Sequence, residues 1–400
     1  MTDLSLFILL TVAIAIGFFL GRRGTAAVRQ RLFSSTLKKR YFQGLNYLLN
    51  EQPDKAVDAF IDALEVNDNT LETHLALGKL MRKQGQVDRA IRIHQNLLAR
   101  PQLNFPDQHQ VHLELARDFM AAGLLDRAEM LLRDVMAESA ALRGIAQRSL
   151  IDILQDEREW SEAIAVAESL LKSKYGRADP QRRQLLGQMI AQFYCELAAQ
   201  TCKQSDEATR RYLSKALSIN PHCVRASILL AAEENAAQQP ARAIKVLSRV
   251  LVDHPERTVE CLPELLSAHS ACDAQRGFDR FVEQLERHFT SQSSTAGILF
   301  LVEQLLHRAA REPARQRQAR ELLSTHMRQQ PSLAGLQQLI AMQLPKLRGE
   351  LAAELQAMQL LVSRLLEKQR LYRCNHCGFS GRQLHWRCPS CKCWDEISRL

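Results

Sequence analysis

The hydrophobic and polar positions along most of this 400-residue chain follow a helical period. Between residues 41 and 370, alanine and leucine dominate, glycine and proline are sparse, and β-branched runs are missing. Apolar residues that recur every three to four positions line one face of an α-helix. Together with a composition that favours helices over strands, this pattern predicts an almost entirely helical region.

Within this region, small and large residues recur at intervals of about 34 residues, the length of a tetratricopeptide repeat. A small residue stands where two helices would cross, a large apolar residue follows, and another small residue lies in the second helix. The residues that carry the pattern are Gly44, Tyr47, Ala56, Phe60 and Ala63; Gly78, Met81 and Ala90; Ala116, Phe119 and Ala128; Leu150, Leu154 and Ala163; and Ala216, Ala231 and Ala243.

Small residues at a crossing let two helices approach, while large ones fill the groove between repeats. We therefore predict a superhelical array of eight or nine helical pairs over residues 41–345, with a generic helical bundle as the alternative. Beyond Pro255 the pattern weakens, and only Gly277-Phe278 and the stretch from Ala314 to Leu323 resemble it.

Residues 346–370 form a last amphipathic helix with leucines at helical spacing. This connecting helix leads directly into the C-terminal residues 371–400. Because no flexible linker separates the two, we expect the C-terminal module to dock on the last helices.

The N-terminus predicts a membrane anchor. Leu4 to Gly21 is a run of eighteen residues without a charge, close to the ~20 that span a bilayer as a helix. The residues that follow, 22–40, contain seven basic and no acidic side chains. A cleaved signal peptide has the opposite charge order. The positive-inside rule then predicts a transmembrane anchor over 1–21 with the N-terminus outside and the body in the cytoplasm, a buried core helix being the alternative.

Net charge changes the picture little. The chain carries +9 overall, but the basic segment 22–40 supplies most of this excess and the helical body is near neutral. A basic stripe beside a membrane anchor is attracted to anionic lipid headgroups. We expect no nucleic-acid partner.

The C-terminal residues carry the strongest chemical signal. Cys374-x-x-Cys377 and Cys388-Pro-x-Cys391 are separated by ten residues. Two such pairs can place four thiolates around one metal ion, and a site with four protein ligands is structural by default. Disulfides are the alternative, but they belong to oxidising compartments, whereas this body is predicted to be cytoplasmic.

Other residues compete for roles in this module. We expect His376 and His385 to be turn or surface residues and Cys393 to be a spare thiol. Three aromatic residues are expected to form its apolar floor: Phe379, Trp386 and Trp394. The five cysteines elsewhere, expected to be small buried hydrophobes, are Cys195, Cys202, Cys223, Cys261 and Cys272.

Motifs of catalysis are missing from the sequence. It holds no phosphate-binding G-x-x-x-x-G-K-[ST], no G-x-S-x-G and no H-E-x-x-H. His109-x-x-His112 places two imidazoles one helical turn apart, and we interpret them as ordinary surface histidines. The sequence therefore predicts a protein that is not an enzyme.

The ordered combination of anchor, repeat array and a terminal YRC-x-x-CGF…CPSC module resembles the lipopolysaccharide assembly protein B family over the whole chain. The resemblance implies an inner-membrane regulator of lipopolysaccharide synthesis that promotes degradation of the deacetylase LpxC by the membrane protease FtsH. It also implies a rubredoxin-like module that binds one iron ion. Carried over by motif, the ligands are Cys374, Cys377, Cys388 and Cys391.

One departure from rubredoxin matters. The residue after the second cysteine of each pair is usually glycine; Gly378 fits and Lys392 does not, and the ten-residue gap is short. This favours a structural clamp over electron transfer, and zinc suits four thiolates as well as iron does. We therefore expect a membrane-tethered cytoplasmic adaptor. The alternatives are a scaffold for lipopolysaccharide enzymes and a redox protein, and self-association is left open.

Overall fold

The computed structural model describes residue 46 and residues 71–99, 103–202, 206–273, 276–291, 294–308 and 313–400. The predicted anchor (1–21), the basic segment (22–40) and the marker residues of the first predicted repeat lie outside these ranges. Among the described residues, no helix is both long enough and apolar enough to cross a membrane. The chain forms two compact units, residues 1–153 and 154–400.

The described part of the first unit is helical. Its helices are α1 (Leu71–Lys83), α2 (Val87–Leu98), α3 (Phe105–Ala121) and α4 (Leu125–Glu138), and α5 (Arg143–Glu157) continues past its boundary. Asn104 caps α3, since its side chain accepts a hydrogen bond from the backbone N–H of Asp107 (2.9 Å).

The second unit continues the series of helices. They are α6 (Trp160–Lys172), α7 (Lys174–Arg177), α8 (Pro180–Thr201), α9 (Asp206–Ile219), α10 (Val224–Ala236), α11 (Pro240–Asp253), α12 (Thr258–Cys272), α13 (Gly277–Ser291), α14 (Thr295–Arg308), α15 (Pro313–Gln329), α16 (Leu333–Gln343) and α17 (Glu350–Lys368). Short 3₁₀ turns occupy Pro255–Arg257 and Leu344–Lys346.

The unit ends in a small antiparallel sheet of three strands. They are β1 (Tyr372–Cys374), β2 (Ser380–Gly381) and β3 (Ile397–Arg399), in the order β2-β1-β3. Tyr372 pairs with Gly381 on one side and with Arg399 on the other. The chain is thus mostly α-helical with a C-terminal β module, as the sequence predicts.

The same turn closes several helical pairs. Gly85, Gly123, Arg158 and Gln238 all adopt a left-handed backbone conformation, with φ between 59° and 80°. In each turn the next residue's backbone N–H donates to a carbonyl five residues earlier, as Gln86 does to Met81 (2.9 Å). Such a bond satisfies a carbonyl that the helix end leaves free. The 34-residue pattern of the sequence therefore corresponds to a repeated turn geometry.

The predicted small residues lie where helices approach. Ala90, Ala116, Ala128, Ala163, Ala216, Ala231 and Ala243 are all fully buried. At Gly78 a Cβ atom would lie 2.4 Å from the imidazole of His94, so α1 can pack on α2 only without a side chain there. The repeat also persists beyond Pro255, where Gly277 lies so close to the His269 carbonyl that a Cβ would meet it at 1.9 Å.

Of the five cysteines outside the C-terminal module, two are not buried as predicted. Cys195, Cys223 and Cys261 are buried, whereas Cys202 and Cys272 are exposed. Cys202 caps the end of α8 and Cys272 is the last residue of α12. The helical spacing of apolar residues predicts burial only within a helix. At a helix end the chain turns away from the neighbouring helix, so these two side chains face solvent.

The first unit holds a buried ionic cluster. Glu114 and Asp118 lie one turn apart on α3 with exposures of 2% and 0%. Arg82 of α1 donates to Asp118 Oδ1 (2.5 Å) and Glu114 Oε2 (2.8 Å), and His94 Nδ1 of α2 contacts Asp118 Oδ2. Burial acts to raise the pKa of Glu114, but the hydrogen bond from Arg82 and the charges of Arg117 and Lys79 outweigh it, so the pKa is lowered.

We predict that Arg82→Met loosens the packing of α1, α2 and α3. The change takes one cation from two buried carboxylates, while His94 stays beside Asp118 and Arg117 and Lys79 stay beside Glu114, so the cost is about 3 kcal/mol, the lower end for a broken buried ion pair. Hydrogen exchange of the α1–α3 backbone amides measures this as faster exchange. Lys79→Met is the matched control, because Lys79 is 40% exposed and lies 3.4 Å from Glu114. Equal exchange in the two variants would contradict the prediction.

Candidate metal centre

The two cysteine pairs adopt the same backbone turn. In the first pair, the N–H of Gly378 donates to the carbonyl of Cys374 (2.9 Å), and the N–H of Cys374 donates to Phe379 (2.7 Å). In the second, Lys392 donates to Cys388 and Cys388 to Cys393, each at 2.9 Å. We call these turns the first knuckle (374–379) and the second knuckle (388–393). Each knuckle directs two thiols toward the same point.

The four sulfurs form a compact cluster. Cys374 Sγ lies 3.7 Å from Cys391 Sγ, and Cys377 Sγ lies 3.7 Å from Cys388 Sγ; all four lie within 4.8 Å of one another. A tetrahedral ion with metal–sulfur bonds of about 2.3 Å separates its sulfurs by roughly 3.8 Å. All four cysteines are free thiols, so the disulfide alternative is not what the structure holds. The geometry fits one four-coordinate metal ion.

The local environment favours thiolate at one position. The backbone N–H of Phe379, helped by neighbouring thiols, lowers the pKa of Cys377 to about 6. Thiolate is the form that binds metal. His376 is exposed, and together with Cys391 and Cys393 it forms a second group of three ligand atoms in the same module. The four-cysteine group is the larger and is built from two matching knuckles.

Lys392 keeps the backbone conformation of the second knuckle, although a lysine at this position predicts a departure from it. Its φ of 61° places it in the same left-handed region as Gly378, whose φ is 77°. A non-glycine residue costs about 1 kcal/mol in this conformation. The side chain has a use here, because Lys392 Nζ donates to Asp156 Oδ2 (2.5 Å) at the end of α5. The departure in residue type is therefore not a departure in geometry.

Only one of the three predicted floor residues lies inside the module. Phe379 packs with Cys374, Cys388 and Ile397 in its small core. Trp386 packs instead against the large helical core of the second unit. Trp394 contacts two rings of the helices, those of Trp160 (6.2 Å) and Phe193 (6.1 Å), both in edge-on geometry. The prediction for the two tryptophans was wrong, because the module borrows its apolar surface from the helices.

Polar contacts from residues on either side of the second knuckle fix the same docking. Arg387 donates to Asp156 Oδ1 (2.6 Å), beside the bond from Lys392, and Trp394 Nε1 donates to Gln155 Oε1 (3.1 Å). Partial burial acts to raise the pKa of Asp156, but the two cationic donors outweigh it and lower the pKa. The contribution of this contact is therefore present above the ordinary pKa of aspartate and is lost as pH falls through the lowered value.

Arg257 holds the other side of the module. This buried side chain, in the 3₁₀ turn before α12, donates to the carbonyls of Ile397 (2.6 Å) and Asp395 (3.1 Å) and to Asp395 Oδ1 (3.1 Å). Its guanidinium also lies 5.8 Å from the ring centre of Trp386. One arginine thus satisfies strand and turn carbonyls of the module from a turn 140 positions away in the chain.

The module therefore docks on the middle of the array and not on the last helices, contrary to the sequence prediction. The contacts above come from α5, α6, α8 and the turn before α12. Sequence reasoning missed Asp156, Phe193 and Arg257 altogether. Trp160 directly precedes the repeat marker Ala163 in α6, and no periodic signal distinguishes such a docking residue from a solvated or core one.

His109 and His112, interpreted from the sequence as surface histidines, lie where α3 packs on α4. His109 is largely buried, contrary to its interpretation as a surface residue, and its Nε2 contacts Glu138 Oε2 (2.9 Å). Burial lowers the pKa of His112, as does the neighbouring His109. The α3–α4 packing thus explains both side chains.

The comparison with known protein families agrees with a metal-binding role for the C-terminal module. Residues 372–398 match a family model described as a rubredoxin metal binding domain. A solved structure of the C-terminal part of a TPR repeat-containing protein from Cytophaga hutchinsonii covers 64% of this chain and 96% of its own, with 13% identity and a TM-score of 0.40.

Two curated relatives match nearly the full length of the chain. Lipopolysaccharide assembly protein B of Haemophilus influenzae is 33% identical, covering 98% of this chain and 97% of that protein. Lipopolysaccharide assembly protein B of Escherichia coli K12 is 34% identical, covering 99% and 97%. This degree of identity over both whole lengths confirms the predicted resemblance, and the chain belongs to the lipopolysaccharide assembly protein B family.

Proposed function

We propose that this protein is a membrane-tethered cytoplasmic adaptor that regulates lipopolysaccharide synthesis by promoting FtsH-mediated proteolysis of the deacetylase LpxC. Membership of the family, over its whole length, is the observation that carries the proposal. The relatives' name supports a role in lipopolysaccharide assembly. The adaptor mechanism, the two partners and the inner-membrane location follow from the resemblance and from the apolar N-terminal run.

A helical repeat array suits an adaptor, because stacked hairpins present an extended surface for other proteins. The proposed anchor would also raise the effective concentration of a bound substrate at the membrane. A substrate held by a tethered array meets a membrane protease at high effective concentration, so modest affinity suffices. No bond needs to be made or broken by the adaptor itself, and we propose that it is not an enzyme.

The metal centre has a structural role in this proposal. Cys374, Cys377, Cys388 and Cys391 would hold one iron or zinc ion, which supplies folding free energy to a module too small for its own core. Since the second knuckle carries two of these thiols and Lys392, and the other docking residues directly flank it, a folded module stabilises the array surface around α5, α6 and α8. Regulation would then depend on docking and not on electron transfer.

The first prediction from the proposed function concerns the four thiols. Changing any one of them to serine should release the metal and unfold the module, because metal binding supplies on the order of 10 kcal/mol. Bound metal, measured by mass spectrometry, and regulation should be lost together and equally in all four variants. Cys393→Ser and His376→Ala are the controls and should keep the metal. A Cys393→Ser protein that loses its metal would show that the ligands are assigned wrongly.

The second prediction separates docking from metal binding. Trp394→Ala removes the ring that contacts Trp160 and Phe193 and the donor to Gln155, at a cost of about 3 kcal/mol. The variant should keep its metal, become more sensitive to proteolysis between residues 368 and 400, and regulate poorly. His385→Ala is the matched control, because this exposed ring contacts Phe379 within the module. Normal regulation by an undocked Trp394→Ala protein would contradict the proposal that regulation depends on docking of the module.

The third prediction tests the adaptor itself. Depleting the protein should lengthen the half-life of LpxC and raise lipopolysaccharide, and deleting residues 1–20 should do the same because tethering is lost. Pulse-chase measurement of LpxC provides the readout. If the half-life stays unchanged while lipopolysaccharide enzymes leave the membrane, the scaffold alternative is favoured. If regulation requires iron and fails with zinc, the redox alternative is favoured.

A further inference from the structure

Two potential metal ligands beside the four-cysteine cluster have no role so far. His376 stands in the middle of the first knuckle, and Cys393 closes the second. A ring nitrogen of His376 and the sulfurs of Cys391 and Cys393 all lie within 4.8 Å of one another. The two knuckles face each other across the cluster, so the arrangement that gathers four sulfurs also brings this imidazole and this thiol to Cys391.

Both side chains are available to a ligand. The His376 ring is exposed and has no hydrogen-bond partner among the residues that the structure describes. Cys393 is a free, half-buried thiol whose sulfur makes a long contact with the carbonyl of Cys391 (3.7 Å). The knuckle is closed by the backbone of Cys393, since its carbonyl accepts from the N–H of Cys388. Its thiol is therefore free to bind without opening the turn.

The donor set selects a class of ion. Thiolate and imidazole suit zinc and its neighbours among the transition metals, whereas magnesium and calcium prefer oxygen. Bonds of about 2.1 Å to nitrogen and 2.3 Å to sulfur hold the ligand atoms of a tetrahedral ion roughly 3.5–3.8 Å apart. Small rotations of the exposed imidazole and of the Cys393 side chain bring the three atoms to that spacing.

Cys391 belongs to both groups of ligands. A divalent ion in the four-cysteine cluster would leave two of the four thiolate charges uncompensated, and a second cation beside it is attracted by that excess. A thiolate that binds one ion keeps lone pairs for another. Cys391 is also only half-buried, whereas Cys374 and Cys388 are buried. Its outer side is therefore the part of the cluster that a second ion can reach.

We propose that His376, Cys391 and Cys393 bind a second, exchangeable ion of the zinc class, with the Cys391 thiolate bridging the two ions. Three protein ligands leave a fourth position to water, as in open zinc sites. The second ion is therefore held more weakly than the first and enters after it. The site requires the four-cysteine cluster, because it shares Cys391, but it does not depend on the adaptor role.

The experiment counts zinc ions on the full chain in detergent micelles. The metal-free protein is titrated with Zn²⁺, and native mass spectrometry gives the number of ions bound to each chain. The wild type should bind one ion and then a second, whereas His376→Ala and Cys393→Ser should stop at the first. Two matched controls should still bind two ions: His385→Ala removes another exposed imidazole of the module, and Cys272→Ser removes an exposed thiol of α12.

Competition with a chelator adds an affinity to each count. His376→Ala should weaken the second ion by more than tenfold and leave the first unchanged, since loss of even an outer contact of a metal ligand costs about 10–100-fold. A wild type that binds one ion at every zinc concentration overturns the proposal. So does a second ion that both variants retain, because it then lies elsewhere. Loss of the first ion from Cys393→Ser would make Cys393 a ligand of the main site and overturn it as well.

Discussion

The conformation of the second knuckle and of the residues on either side of it is the constraint on which the C-terminal half of this molecule depends. The stretch from Trp386 to Asp395 supplies two of the four clustered thiols and also most of the side chains that contact the helices. Cys388 and Cys391 face the cluster, while Lys392 and Trp394 face α5, α6 and α8. A metal ion that holds the four thiols together would therefore also position the docking residues.

The contacts with the helices compensate for the small size of the module. A module of about thirty residues cannot bury enough apolar surface to fold by itself. Here its own core is limited to residues such as Phe379 and Ile397, and its tryptophans are partly buried against the helices instead. The helices also satisfy its backbone, because Arg257 donates to two carbonyls that would otherwise need other partners. The module and the helices of the second unit are parts of one packed structure.

The second unit accepts the module because of the way its first helices pack. The left-handed turn at Arg158 and the fully buried Ala163 set the spacing of α5 and α6 there. That spacing brings the end of α5, the start of α6 and the middle of α8 to one place, where Gln155, Trp160 and Phe193 meet Trp394. The docking site is thus a product of repeat geometry and not of any single helix.

The sequence by itself determined the features that depend on local spacing. Helical period, the small residues at Gly78 and Ala163 and the tight cysteine pairs are all visible because neighbours in the chain create them. Only the tertiary structure decided that Trp394 belongs to an interface, that Lys392 can replace a glycine, and that Arg257 holds β3. Those roles join residues more than a hundred positions apart, and a local pattern records which face a residue occupies but not which distant surface is complementary to it.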